Sequence, residues 1–383
     1  MSSKTIRLFV EYAMKALSIG FFLILTDSSL SLAYDEKDLR NFEQQKICVA
    51  CDLSSINLAY IRFPSPYLTW ANLLFKNLIG ADLHDSNLSN SNLRHARLNM
   101  ADLRNANLAN SDLSRSELIC INLDQANLAG AKLAGANLWK ADLRRTKLSG
   151  IDLNNAVMRG VKLQHANLER ANLFKADLQS ANLSEANMQY ANLNSAILRG
   201  ADLRSANLNY AYLHMVNLEI ANLKNASLHG ITTIRKDGIY ADADPYMRTS
   251  FSKAILTGAT LTNASLPDVD LTAANLREAD LRDADLSGAR LSNANLRDAD
   301  LRRVNLRGAN LKGADLSGAN LEGADLTGAD LSPFKAIWQW KTSLANTNFS
   351  GADLTDANLN QADLSNAILC RTRFGSRELN TGC

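Results

Sequence analysis

Proline, tyrosine, histidine and any surplus of charge are all scarce in this chain. It holds five prolines, nine tyrosines and five histidines in 383 residues, and 41 basic side chains stand against 39 acidic ones, for a formal net charge of +2. Near-neutrality argues against a polybasic nucleic-acid binder, and equally against an acidic surface imitating duplex DNA. It also gives no field for steering a charged ligand. The histidines, His84, His95, His165, His214 and His229, offer no pair at metal-ligand spacing on one element. There is no G-x-S-x-G, no phosphate loop and no dinucleotide fingerprint. The sequence therefore names no catalytic residue, no cofactor site and no metal site, and it reads as a non-enzyme.

The one long apolar run lies at the N-terminus. Lys4, Arg7 and Lys15 precede the stretch from Ala16 to Thr26, and Ser31-Leu32-Ala33 comes after it with small residues at the positions a signal peptidase inspects. Residues 1–33 read as an export signal cut before Tyr34, which leaves the mature chain at +1. The run is about half of the ~20 residues a spanning helix needs, and an uncleaved membrane anchor is the alternative. Residues 34–48, with Leu39, Phe42 and Ile47, suit a short helix that caps the N-terminal end of the fold. An exported chain keeps disulfides. Cys48 and Cys51 form a C-x-x-C without the strand–helix context of a redox motif, so they read as a structural pair or disulfide. Cys370 and Cys383 flank the C-terminal tail and are placed to staple it, and Cys120 is left over.

What dominates is a period of five. From Leu53 to Leu228 an apolar residue recurs every fifth position, with Phe63, Met158 and Met188 as the exceptions to Leu. A small residue, usually Ala, stands two positions earlier, and Asp or Asn one position earlier. The unit is A-(D/N)-L-x-x. This first block has 36 centres; a second, from Phe251 to Leu331, has 17; a third, from Leu344 to Phe374, has seven, for 60 in all. Helices want apolar spacings of three and four and strands want two, so a period of five fits neither. It fits a square coil in which each repeat forms one side, with the central Leu and the small residue pointing inward. Such a tube is expected to fill with no polar atom and no cavity.

On these residues the chain resembles the pentapeptide-repeat family, over roughly residues 49–375. The resemblance implies an all-β fold, a right-handed quadrilateral β-helix with four repeats per coil. Sixty repeats then give about 15 coils with two inserts, and about 70 Å of length at strand-like stacking. Residues 20 apart would lie one above another. Asn167, Asn187 and Asn207 should stack, as should Asn172 and Asn192, Tyr190 and Tyr210, Arg277 and Arg297, and Arg282 and Arg302, the arginines neutralised by Asp280, Asp283, Asp298 and Asp300. The family also implies end-to-end homodimers and, from its abundance in cyanobacteria, a periplasmic or thylakoid-lumen address. Its best-known activity, DNA mimicry toward gyrase, conflicts with this chain's neutral charge and export signal.

The expected organisation is a first solenoid block over 49–230, an insert over 231–248, a second block over 249–333, an insert over 334–341, a third block over 342–375 and a tail over 376–383. The first insert carries Tyr240 and Tyr246, and reads either as a recognition loop on a rigid scaffold or as a tolerated bulge. The second carries Ile337, Trp338 and Trp340, and reads either as an exposed partner patch or as rings folded onto the adjoining coil. A milder basic cluster joins Arg144, Arg145, Lys147, Arg159 and Lys162. The expected function is a non-catalytic exported scaffold or structural rod with an unidentified protein partner and no nucleic acid. The alternative is binding of envelope or thylakoid components, polysaccharide or lipid, along one face.

Overall fold

The computed structural model describes residues 49–51, 53, 58–62, 66–233, 248–333 and 342–383. The chain divides into two compact units, Met1–Ala166 and Asn167–Cys383, and each is a stretch of right-handed quadrilateral β-helix. The coil closes after 20 residues. Asp82 bridges Asp102 in parallel, Asn187 bridges Asn207, and Asp280 bridges Asp300. Up to Leu354, each described repeat buries its centre and the small residue two positions before it. Leu103 and Ala101 in the first unit, like Leu203 and Ala201 in the second, are at most 1 % exposed.

The repeat Ala201-Asp202-Leu203-Arg204-Ser205 explains why the remaining letters are what they are. The Ala201 N–H closes a turn onto the Leu198 carbonyl (2.9 Å), the Asp202 N–H reaches back to the Ala181 carbonyl (2.9 Å), and the Leu203 and Ser205 N–H groups reach forward to the Asn222 and Lys224 carbonyls (2.7 and 3.0 Å). Four of five donors are thus paired with backbone. The fifth, the Arg204 N–H, is taken by Oδ1 of Asp202 at 3.2 Å. The Asp/Asn letter completes the backbone accounting that any buried or half-buried chain must satisfy. At some repeats where it is missing, a neighbour substitutes. Glu117 and Tyr212 stand in the Asp/Asn position, and the Ile119 and His214 N–H groups donate instead to Asn99 and Asn194 of the preceding coil, both at 2.9 Å.

The turn after each centre is type II. The Leu198 carbonyl accepts from the Ala201 N–H, and the last residue before the next repeat sits in the left-handed region, as at Gly200 (φ 67°), Tyr210 (φ 60°) and Ile220 (φ 53°). For a branched residue that conformation costs ~1–2 kcal/mol, against the ~0.5–1 kcal/mol of backbone entropy a glycine loses. Ile220→Gly is therefore expected to stabilise the second unit by about 0.5–1 kcal/mol, measured by denaturant unfolding. At Gly80 and Gly230 the missing side chain has a second use. A Cβ there would lie 2.6–2.7 Å from ring carbons of Tyr60 and Tyr210, so each glycine is the seat of the tyrosine one coil earlier.

The interior departs from expectation in one respect: it carries polar groups. Ser91, Ser111, Ser116 and Thr146 occupy the small inward position and are buried. Each hydroxyl donates to the carbonyl of the preceding centre at 2.6–2.7 Å, so the tube accepts them without water. Lys76 is also buried at this position, and the hydroxyl of Ser86 makes no hydrogen bond.

The first insert is shorter than expected. Ile231 is fully buried and Thr232 bridges both Tyr212 and Ser265, so the solenoid runs through Thr233. It resumes at Thr249, whose hydroxyl donates to the Leu213 carbonyl at 2.5 Å. A Leu centre replaced by Thr233 hid this repeat from the pattern. The second insert leaves after Leu331 and the chain re-enters at Thr342, whose hydroxyl accepts from the Gly313 N–H at 3.0 Å. The tail is not formless. Strand β1, Leu369–Phe374, and strand β2, Arg377–Thr381, form an antiparallel hairpin. Its two-residue turn has Gly375 at φ 62°, as a type II′ hairpin turn requires. β1 also pairs with the coil before it through Arg373 and Asp353, so β2 covers an edge that would otherwise be open. Leu359 and Leu364 at the same end remain half-buried.

Candidate functional site

Because the interior is closed, the side chains free to act are the Asp/Asn position, the residue after the centre and the turn residue. In the first unit the face with centres Leu83, Leu103, Leu123, Leu143 and Leu163, here face A, carries more charge than any other face. At one end His84 Nδ1 lies 2.6 Å from Asp82 Oδ1, and His84 Nε2 lies 3.8 Å from Asp85. Asp102, one coil on, joins them. Single ligand atoms of Asp82, His84 and Asp102 lie within 4.8 Å of one another, a donor set of metal-binding type. Both Asp102 oxygens are already held by Arg104, through Nε at 2.9 Å and Nη2 at 2.6 Å. The cluster is closed on itself as an ion-paired group. Sequence reading missed it by seeking ligands along one element; the spacings of 2 and 20 together would have found it.

At the other end of face A, Asp124 lies under Arg144 (3.9 Å) and Arg145, and Asp142 is held by Arg144 at 2.8 Å and Lys162 at 3.5 Å. Burial pushes the Asp142 carboxyl up, but hydrogen bonds from the Arg144 side chain and backbone outweigh it and leave it below the usual carboxylate range. In the second unit Asp202 is held low chiefly by its hydrogen bond from Arg204, and Asp283 by that from Arg303. A carboxylate whose folded pKa is depressed contributes stability above its unfolded pKa and loses it as pH falls through the folded value. Thermal melts should therefore hold steady from neutrality down to about pH 5 and fall below about pH 4.

The second unit bears out the stacks expected in it. Asn187 donates to Asn167 at 3.2 Å and Asn192 to Asn172 at 3.1 Å. Tyr190 and Tyr210 stack at 5.2 Å with Arg170 over the outer ring, and His229 meets Tyr210 edge-on at 5.2 Å. Arg282 and Arg302 each grip the aspartate two residues earlier, Asp280 and Asp300, at 2.7 and 2.6 Å, and Arg282 also reaches Asp300 at 3.6 Å. His214 and His229 do not meet as a pair. His214 Nδ1 lies 2.9 Å from the Thr233 carbonyl and His229 Nδ1 2.6 Å from Thr262 Oγ1.

Tyr240, Tyr246, Ile337, Trp338, Trp340 and Cys48 lie outside the described residues. Cys51 is disulfide-bonded, a disulfide joins Cys370 to Cys383 with 5.1 Å between Cα atoms, and Cys120 is free and exposed. Among the described residues no helix is long and apolar enough to cross a membrane.

The five-residue code, the 20-residue closure and the ladder of bridges match a known pattern. A family model described as pentapeptide repeats matches residues 67–99, 121–160, 151–189, 186–225, 254–293, 294–332 and 340–374. The chain belongs to the pentapeptide-repeat family. Among solved structures it is similar to HetL, a pentapeptide repeat protein involved in heterocyst differentiation regulation in the cyanobacterium Nostoc sp. strain PCC 7120. Identity there is 32 %, over 64 % of this chain and 91 % of that one, with a TM-score of 0.29. It is also similar to Rfr23 from the cyanobacterium Cyanothece 51142, at 27 % identity over 33 % of this chain and 92 % of that one, TM-score 0.20. QnrB1, a plasmid-mediated fluoroquinolone resistance protein, is 19 % identical over 54 % of this chain and 88 % of that one, TM-score 0.27. None of the curated proteins matches the chain.

Proposed function

We propose that this pentapeptide-repeat protein is a non-catalytic, exported interaction scaffold. The observation that carries the reading is the closed repeat. In most repeats that keep the full code, the centre and small residue are buried and the Asp or Asn accepts from a backbone N–H, as at Asp202 and Asn187. The abundant carboxylates and amides are thereby accounted for without chemistry, and binding falls to the side chains that vary between repeats and to the inserts. Residues 1–33 would direct export to a periplasm or thylakoid lumen. The second insert, with Ile337, Trp338 and Trp340, supplies the anchor and the first, with Tyr240 and Tyr246, a further contact, since aromatic side chains dominate binding energy at interfaces.

The test is capture of a partner from the exported fraction by the protein, beside Trp338→Ala/Trp340→Ala. One partner held by the first and lost by the second supports the scaffold reading. Equal recovery by both moves the contact away from these rings, and recovery by neither removes the reading.

A further inference from the structure

We propose that face A of the first unit, around Lys140, Arg144, Arg145 and Lys162, docks on an anionic lipid surface. Residues 130–166 hold seven Lys and Arg against two Asp and no Glu, within a chain that is otherwise nearly neutral. The coil gathers part of this surplus. Arg144 and Lys162 lie on face A itself, Lys140 on the turn at one edge and Arg145 on the turn at the other. The two carboxylates beneath them are sunk: Asp124 and Asp142 are 10 % and 14 % exposed, while Arg144, Arg145 and Lys162 are 42 %, 52 % and 55 % exposed. The sunken acids orient the guanidinium groups, and the outermost layer at this end of the face is cationic; the exposed carboxylates of the face, Asp82 and Asp85, lie at its other end.

The edge at Lys140 is apolar and aromatic. Trp139 is exposed and Lys140 Nζ stands 4.3 Å over its ring. Val157 is exposed on the same flanking side as Trp139, one coil on, and Met100 on the same turn line as Lys140, two coils back. The stem of Lys140 lies over Gly160, 3.5 Å from where a Cβ would be, which holds the ammonium outward. Cations beside an exposed indole suit the headgroup layer of a bilayer. The face is a ladder of coils rather than a groove, so a planar partner can touch the cations at this end at once, and each basic group near an anionic surface strengthens binding about fivefold.

The test uses the full chain and sedimentation with vesicles of phosphatidylcholine containing about one third phosphatidylglycerol, at about 0.1 M salt. Lys140→Gln/Lys162→Gln should weaken partitioning about 25-fold. Gln already occupies the turn position of Lys140 elsewhere, at Gln125 and Gln361, and Asp142 keeps its closer 2.8 Å bond from Arg144 when the exposed Lys162 is changed, so the double variant should keep the parent melting curve. Lys132→Gln removes one such charge from the opposite face and should shift partitioning less than about twofold, against the about fivefold expected for each of the two lysines of the proposed surface. The N-terminal apolar run is present in every variant and cancels in the comparison. The proposal is overturned if the parent does not sediment with these vesicles, if the double substitution has no effect, if Lys132→Gln weakens binding as much, or if a soluble sulfated polysaccharide is retained while vesicles are not.

Discussion

Leu203→Asp should abolish cooperative folding of the second unit, or lower its stability by more than about 5 kcal/mol. Leu203 is fully buried, and so are Leu183 and Leu223 one coil to either side. Removing a buried Leu costs about 2–5 kcal/mol, and an unpaired carboxylate in that row adds several more or must bind a proton to enter. A whole domain is stable by only about 5–15 kcal/mol. The hydroxyls of Ser111 and Thr146 are tolerated in the first unit because a carbonyl lies within reach of the small inward position; the Leu row has its neighbours' side chains instead. Leu203→Met is the control. Met158 and Met188 already fill this position at full burial, and the exchange should cost less than about 1.5 kcal/mol. Guanidinium unfolding of the two variants beside the parent separates loss of packing from burial of charge.

Breaking the Cys370–Cys383 disulfide should loosen the hairpin at the C-terminal end by about 3 kcal/mol, the chain entropy released when a loop of this length opens. The hairpin has little else to hold it. Every residue of β2 is exposed, whereas in β1 Thr372 is buried and its hydroxyl donates to the Phe349 carbonyl at 2.8 Å. Cys383→Ser should therefore release β2 first and leave β1 on the coil. Limited proteolysis should cut between Gly375 and the C-terminus in the variant and not in the oxidised parent, with the main unfolding transition unmoved. A shift of the main transition would mean that the hairpin supports the coils beyond its own edge.

Much of this architecture was legible in the sequence because a five-residue period leaves no other way to bury Leu and Ala together. The Asn167–Asn187 and Asn172–Asn192 pairs followed from the four-repeat coil that the family resemblance implies. The turn conformation was not legible. A left-handed residue is usually announced by Gly or Asn, but here Trp70, Tyr190, Ile220 and Arg303 adopt it as well, because the ladder on both sides enforces it. The start of the first insert was hidden by Thr233, which keeps the fold while breaking the letter code. The hairpin was hidden because β2 has no buried face and hence no apolar alternation to read. On the surface, the basic cluster was visible as composition. That its acids lie beneath its arginines became visible only in the folded coil, and the Asp82–His84–Asp102 group required two spacings read together.

The central claim is that Asp and Asn recur in this chain to complete the backbone rather than to do chemistry, and amide hydrogen exchange tests it most directly. The Ser184 N–H donates to Asn182 Oδ1 at 3.1 Å. The Arg199 N–H occupies the same place in its repeat, but Ile197 stands where the acceptor would be. The account predicts that the Ser184 amide exchanges about tenfold more slowly than that of Arg199, and that Asn182→Ala brings Ser184 to the Arg199 rate while the Leu183 amide stays protected. Equal rates for Ser184 and Arg199 in the parent would contradict it and leave the carboxylates and amides of the repeat in want of another explanation.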